Sequence, residues 1–431
     1  MTPIVQYGMR LSNLAVMTLA LLVGACTPGA TTTPTTKPPI VTTPTTPATT
    51  PTTAVVEVPP GAGPLLVWVG SEALAEAVIA QADAYTAATG VAVVVITVSS
   101  APDDDRGFLD TLLEPDDTVP APGSEEPPAG LDRAPDVFIG PHIWLTELAE
   151  AGLAEPVDLP DGLPAAAVAA VTLRGFTIAV PVALDTVVQF RNPDLMPEAP
   201  GDLSDLQCPA DLACLLMPGD GDPDVHYPFL VAVGGYLFGE DAEFGFAADD
   251  VGVDSSEAIA SAAILQGLLE GGGIATAVDR EDARARFASG EAALIWDGAG
   301  AIGDLDSAVI EPLPTISLNP PISVVRVTAA WVNPSGSLKT EAAEFALQYL
   351  GGVDGSTAVA RALGLIPVWP DDATQTERRF IETAATGHPV PYITEAVVAW
   401  EALAEAFGRI HGGTSAGTAL VDAADTIRFQ P

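Results

Sequence analysis

Leu65-Leu66-Val67-Trp68-Val69 is apolar at every position, and residues 91–98 are β-branched almost throughout. Strands without alternation are covered on both faces, so these runs belong inside a sheet rather than at its surface. Between them, residues 72–88 are alanine-rich and follow Ser71, a residue that accepts hydrogen bonds from the first helical turn, which predicts a capped helix. Strand, helix and strand in this order imply an α/β fold with a parallel sheet between helical layers. The pattern continues. Strands are expected at 135–140, 176–180, 186–190, 292–296 and 323–333, and helices at 106–113, 142–151, 228–237, 255–269, 280–288, 340–350, 355–363, 377–385, 395–410 and 414–427. A Pro-, Gly- and acid-rich segment at 114–130 reads as an exposed loop. Nearly all of the chain after residue 58 carries this pattern, too much for one sheet with short loops, so two lobes are expected.

The first 58 residues follow another logic. Arg10 precedes an apolar run of about ten residues at 14–23, half of the roughly 20 that a membrane span needs, and the run reads as the core of a signal peptide. It ends in Leu22-Val23-Gly24-Ala25-Cys26, which resembles the cleavage and lipidation site of bacterial lipoproteins. Residues 1–25 are thus read as the signal peptide, Cys26 as the lipidated residue, and the Thr/Pro-rich residues 26–58 as a spacer without a core. Extended at about 3.1 Å per residue, such a spacer reaches roughly 100 Å from a membrane. The expected location is extracytoplasmic, held to the cell membrane by lipid alone. In that compartment Cys208 and Cys214, six residues apart, are expected to form a disulfide.

Charge removes several functions. Sixteen Lys and Arg stand against 57 Asp and Glu, a net charge of −41, and such a surface repels the phosphates of nucleic acids and anionic membranes. A hydrophobic fraction of 48% with 17% charged residues excludes an intrinsically disordered acidic chain. The sequence lacks a phosphate loop ending in Lys-Ser/Thr, a His-Glu-x-x-His helix and a Gly-x-Ser-x-Gly elbow. Its four histidines are scattered, so neither a metal nor a cofactor is expected.

Residues 135–159, PDVFIGPHIWLTELAEAGLAEPVDL, resemble the maltose-type extracellular solute-binding proteins of ABC importers. Further likenesses follow in order: Val180-Pro181-Val182-Ala183-Leu184-Asp185 with Asn192-Pro193-Asp194-Leu195, Asp222-Pro223 through Gly239, Asp250 to Asp254, Phe287 to Ala293, and Asn333-Pro334-Ser335 onward. The resemblance implies a two-lobe α/β fold, the type II periplasmic-binding-protein fold, with ligand in the cleft between lobes. It divides the chain into an N-lobe of 59–184 and 314–365 and a C-lobe of 185–313 and 366–431. It implies a monomer that binds a carbohydrate, performs no chemistry and docks on the transmembrane subunits of an ABC permease.

A sugar presents flat apolar faces and hydroxylated edges, so aromatics and carboxylates are the candidate ligands. By the resemblance, Trp400 is a stacking platform, Trp331 stands at a cleft strand end, and Trp144 and Trp296 lie near motif loops. Asp185 sits on the first crossing strand, Asp222 and Asp224 with Tyr227 on the second-lobe loop, and Glu72 on the loop after the first strand. Gly140, Gly300 and Asp224 replace aromatics of maltodextrin-binding members, which points to another oligosaccharide or a smaller sugar as readily as to maltodextrin. Two other readings compete: a same-fold protein for a non-sugar ligand, and a cell-surface glycan hydrolase.

Overall fold

The computed structural model describes residues 63–98, 105–113, 134–209, 212–241, 245–305, 307–336, 338–371 and 373–429. All of the described residues fall within one compact unit, Val55–Pro431. The signal-peptide reading of residues 1–25, Cys26, the spacer and the loop at 114–130 lie outside the described residues. No described helix is long and apolar enough to cross a membrane.

β1 (Leu65–Val69) lies between β2 (Val93–Thr97) and β3 (Val137–Pro141), parallel to both. Helix α1 (Glu72–Thr89) connects the first two; the Ser71 hydroxyl accepts from the Leu74 amide at its start, and Gly90, at φ 78°, ends it. After α2 (Asp105–Leu113) and β3, a 3₁₀ turn, His142–Trp144, leads into α3 (Leu145–Glu150), and α4 (Ala165–Ala169) with the hairpin β4 (Thr172–Leu173) and β5 (Phe176–Thr177) leads to β6 (Val180–Thr186). One residue later, β7 (Val188–Arg191) belongs to a different sheet. The strands expected at 176–180 and 186–190 are therefore differently cut. Pro181 is accommodated where the register of β6 shifts against its neighbour, so the strand runs through it rather than ending before it.

The second sheet is assembled from β8 (Ala213–Pro218), β11 (Ile274–Ala277), β12 (Ala292–Asp297) and β13 (Val309–Glu311), in the order β11-β8-β12-β7-β13. Its helices are α5 (Pro223–Val231), α6 (Ser256–Glu270) and α7 (Arg280–Ala288), and a two-strand ribbon of β9 (Phe238–Gly239) and β10 (Ala247–Val251) precedes α6. Helix α5 starts five residues before the expected 228. Pro223 occupies the first turn, where a missing N–H costs nothing, and Asp222 caps it, so proline here opens the helix. Cys208 and Cys214 are bonded through their sulfurs just before and within β8, their Cα atoms 5.4 Å apart.

The chain then returns. β14 (Val324–Val332) inserts antiparallel between β3 and β6, so the first sheet is mixed where a parallel one was expected. Helix α8 (Lys339–Glu344) runs into a π-helical turn, Phe345–Leu350, and is followed by α9 (Val353–Leu363), β15 (Ile366–Pro367), α10 (Gln375–Ala384), β16 (His388–Pro389), α11 (Glu395–His411) and α12 (Ala416–Arg428). β15 pairs with β6 and β16 with β14, completing a seven-stranded sheet.

Both faces of the first sheet are buried, as its unbroken apolar strands require. Leu65, Val67 and Val69 pack with α1, α9 and Phe345. Their neighbours Leu66 and Trp68 face a second cluster, which also contains Phe190 and Ile295 of the other sheet and Phe380 of α10. Helices α5, α6, α11 and α12 cover the remaining face of the second sheet.

Candidate functional site

Polar groups gather where the parallel strands of the second sheet end, the place at which open α/β sheets present residues to a ligand. Asp222 follows β8, Arg280 follows β11, and Asp297 ends β12. Asp222 accepts from the Asp224 amide through Oδ1 and from Arg280 Nη2 through Oδ2 at 2.7 Å. Arg284, one helical turn on, grips Asp297 with Nε and Nη2. Asp185, at the end of β6 just before the chain changes sheets, accepts from the Ala299 amide at 2.8 Å and from the Thr186 amide at 2.9 Å. That approach needs glycine at 298, since a Cβ there would lie 2.7 Å from Asp185 Oδ2.

Arg326, on β14 of the first sheet, reaches across to Asp224 of α5. Its Nε and Nη2 donate to the two carboxylate oxygens at 2.8 Å each, and Trp400 Nε1 of α11 donates to Oδ1 at 3.1 Å. Burial, the largest single influence, pushes the Asp224 carboxyl upward, but the Arg326 guanidinium, Arg280 and the Trp400 N–H together hold the group below the ordinary carboxylate range. Asp185 and Asp222 stay above that range, burial being the larger cause in each and the neighbouring Asp224 charge adding to it.

Aromatic rings stand beside this network. Trp400 stacks on Tyr227 with centroids 6.2 Å apart, Arg326 lies over its ring at 5.7 Å, and the Tyr227 hydroxyl pairs with His388 Nδ1 at 3.2 Å. Trp400 also lines a cavity of about 500 Å³ whose walls include Ile143, Trp144, Arg326, Tyr392 and Val397. Trp144 lies across Gly140, where an added Cβ would fall 1.9 Å from its Cζ3, and packs on Phe108 at 5.6 Å. Glycine at 140 is thus what lets tryptophan fill that wall.

The expected ligand residues separate into groups. Asp185, Asp222, Asp224, Tyr227 and Trp400 come together around the Arg280 and Arg326 guanidinium groups, with Trp144 across the cavity. Trp331 and Trp296 present no face to solvent. Trp331 is fully enclosed, stacks on Phe138 at 6.2 Å, and donates Nε1 to the Gly140 carbonyl. Trp296 is enclosed against Phe229 at 5.4 Å. Both belong to the core because their strands, β14 and β12, lie inside the sheets with both faces covered. Glu72 stands exposed in the first turn of α1. The sequence reading passed over Arg280, Arg284, Asp297 and Arg326. One signal was available for the last: a charge inside the apolar run of residues 324–332 needs a partner to be tolerated there.

Two solved structures share the fold. The extracellular solute-binding protein of Staphylococcus aureus in complex with maltose superposes with a TM-score of 0.72 at 20% identity, covering 84% of this chain and 96% of that one. A cyclo/maltodextrin-binding protein complexed with maltotetraose gives 0.71 at 21% identity, covering 85% and 97%. In sequence, the chain is 28% identical to the maltotriose-binding protein of Pyrococcus abyssi over 209 residues, 44% of this chain and 43% of that protein, so the match spans less than half the length of this relative. The family of bacterial extracellular solute-binding proteins matches residues 80–377, more than half of the chain, and to that family this protein belongs.

Proposed function

We propose that the protein is a carbohydrate receptor that works outside the cytoplasm, tethered by lipid on Cys26, and delivers its ligand to an ABC permease. The observation that carries the reading is the grouping of Trp400, Asp224, Arg326 and Asp185 beside a cavity of about 500 Å³, within the range of small-ligand sites. An aromatic face with carboxylate and guanidinium groups at its edge suits a pyranose, which is apolar above and below and hydroxylated around its rim. The sugars named for the P. abyssi relative and for the two solved complexes support the same class of ligand.

In this reading Asp185, Asp222, Asp224, Tyr227, Trp400 and Trp144 touch the ligand, and Trp331 and Trp296 stiffen the strands behind them. Lobes of 59–184 with 314–365 and 185–313 with 366–431 close on the sugar by a hinge, because the closed form binds it more tightly than the open one. The protein, as a monomer, binds and releases its ligand unchanged. A carbohydrate panel read by thermal unfolding tests this: a sugar present at about 100 times its Kd adds about 2.7 kcal/mol of stability. At least one oligosaccharide is expected to raise Tm and to be recovered intact; a panel that leaves Tm unmoved, or a sugar returned hydrolysed, overturns the proposal.

A further inference from the structure

The wall of the cavity beside Trp400 is mostly apolar, with Glu147, Thr394 and Glu401 among its polar members. Ile143, Trp144, Val390, Ile393, Ala396 and Val397 are among its apolar lining residues. Several of its polar groups are already engaged. Arg106 donates to Glu147 and Asp110, and the Tyr392 hydroxyl donates to the Thr172 carbonyl. A hydroxyl brought against such a wall loses its hydrogen bonds to water without replacement.

Arg326 differs from Arg106, the other cation that lines the cavity. Nε and Nη2 are both fixed by Asp224, which also cancels the charge, while Nη1 has no partner among the described residues and the side chain is 39% exposed. A guanidinium neutralised along one edge and open at the other offers two oriented N–H donors to an uncharged acceptor. An acyl group pairs a strong, uncharged acceptor with a small apolar end. Resting on the carbohydrate reading above, we infer that the ligand is an acylated saccharide, its acyl carbonyl accepting from Arg326 Nη1 and its methyl lying against Ile393 and Val397.

The inference makes Arg326 a specificity-determining residue, and matched pairs test it. The purified protein is titrated calorimetrically with glucose and N-acetylglucosamine, with cellobiose and the di-N-acetylated glucosamine disaccharide of the same linkage, and with maltose and O-acetylated maltose. The acetylated member is expected to bind about tenfold more tightly, the discrimination that one small apolar group provides in a fitted pocket; the N- and O-acetyl pairs show which linkage the site takes. Plain sugars that bind as tightly as their acetylated partners overturn the inference and leave the carbohydrate reading standing, whereas binding of no saccharide at all overturns both. Arg326→Lys keeps a cation opposite Asp224 but lacks the open edge, and should bring the acetyl preference close to one. Val397→Thr, at an exposed wall position, should reduce it without endangering the fold. A preference undiminished in both variants, with Tm retained, removes Arg326 and this wall from recognition.

Discussion

At the scale of single residues, the decisive contrast lies between two tryptophans. Trp400 is half-buried, with its N–H on Asp224 and one edge lining a cavity; Trp331 is sealed in the core against Phe138. Trp400→Ala is expected to weaken ligand binding by about 1–3 kcal/mol, roughly 5- to 150-fold, with a modest effect on Tm. Trp331→Ala is expected to cost about 3–5 kcal/mol of stability through the cavity left behind. Calorimetric titration alongside thermal unfolding separates the two, and equal effects of both variants on affinity would contradict the assignment. That Asp185, Asp222, Asp224, Tyr227 and Trp400 were candidates was legible in the sequence. Which of the candidates face the site was not, because the side of a strand that a residue takes depends on register and on cover from distant segments. Trp331 illustrates this: it was expected at a cleft strand end, but β3 and β6 pair with both edges of its strand and buried clusters pack on both of its faces. Arg326 was missed for the opposite reason, since its partners Asp224 and Trp400 lie far away in sequence and only folding brings them beside it.

At the scale of elements, the junction of α5 and α11 carries a pair of histidines. His226 Nδ1 lies 2.7 Å from the Asp222 carbonyl, so it carries the proton, and His226 Nε2 accepts from His411 Nε2 at 2.8 Å. The remaining nitrogen of His411 accepts from the Thr276 hydroxyl. The chain of donors is complete only with both rings neutral, and burial keeps them so, holding His226 down to about 3 and His411 to about 4. His142, enclosed between the Val327 and Val390 backbones, is held down to about 4 in the same way, burial again being the main cause. An unfolded histidine takes up its proton near pH 6.5. Between pH 6.5 and about 4 the unfolded state therefore binds more protons than the folded one, and stability rises with pH across that window. Tm should therefore fall on acidification from pH 7 to 4, and His411→Gln should flatten the profile; an unaltered slope in that variant would remove the pair from the explanation. Most strands and helices were legible from apolar runs and capping residues. Where α5 and β6 begin was not, because proline served there as a helix opener and a bulge residue rather than as a stop.

For the whole molecule, the length and alternation of the pattern already demanded more than one sheet, but the mixed character of the first sheet came from β14, which returns after the second sheet is built. The tether makes a prediction at this scale. If Cys26 carries lipid, Cys26→Ser should move the protein from the membrane fraction to the soluble or secreted one, and mass spectrometry of the native form should find an acyl group; an unmodified wild type would sink the anchor. The crossing at Val187 bears on how the gene can be divided. Residues 185–313 supply every strand of the second sheet, but α11 and α12, which cover one of its faces, are encoded more than eighty residues further on. Expressed alone, that stretch would expose a broad oily surface and precipitate. Supplied in trans with the remainder of the chain, it has a route to reassembly, so this protein should behave in split-reporter designs as one indivisible body whose halves are soluble only in each other's company.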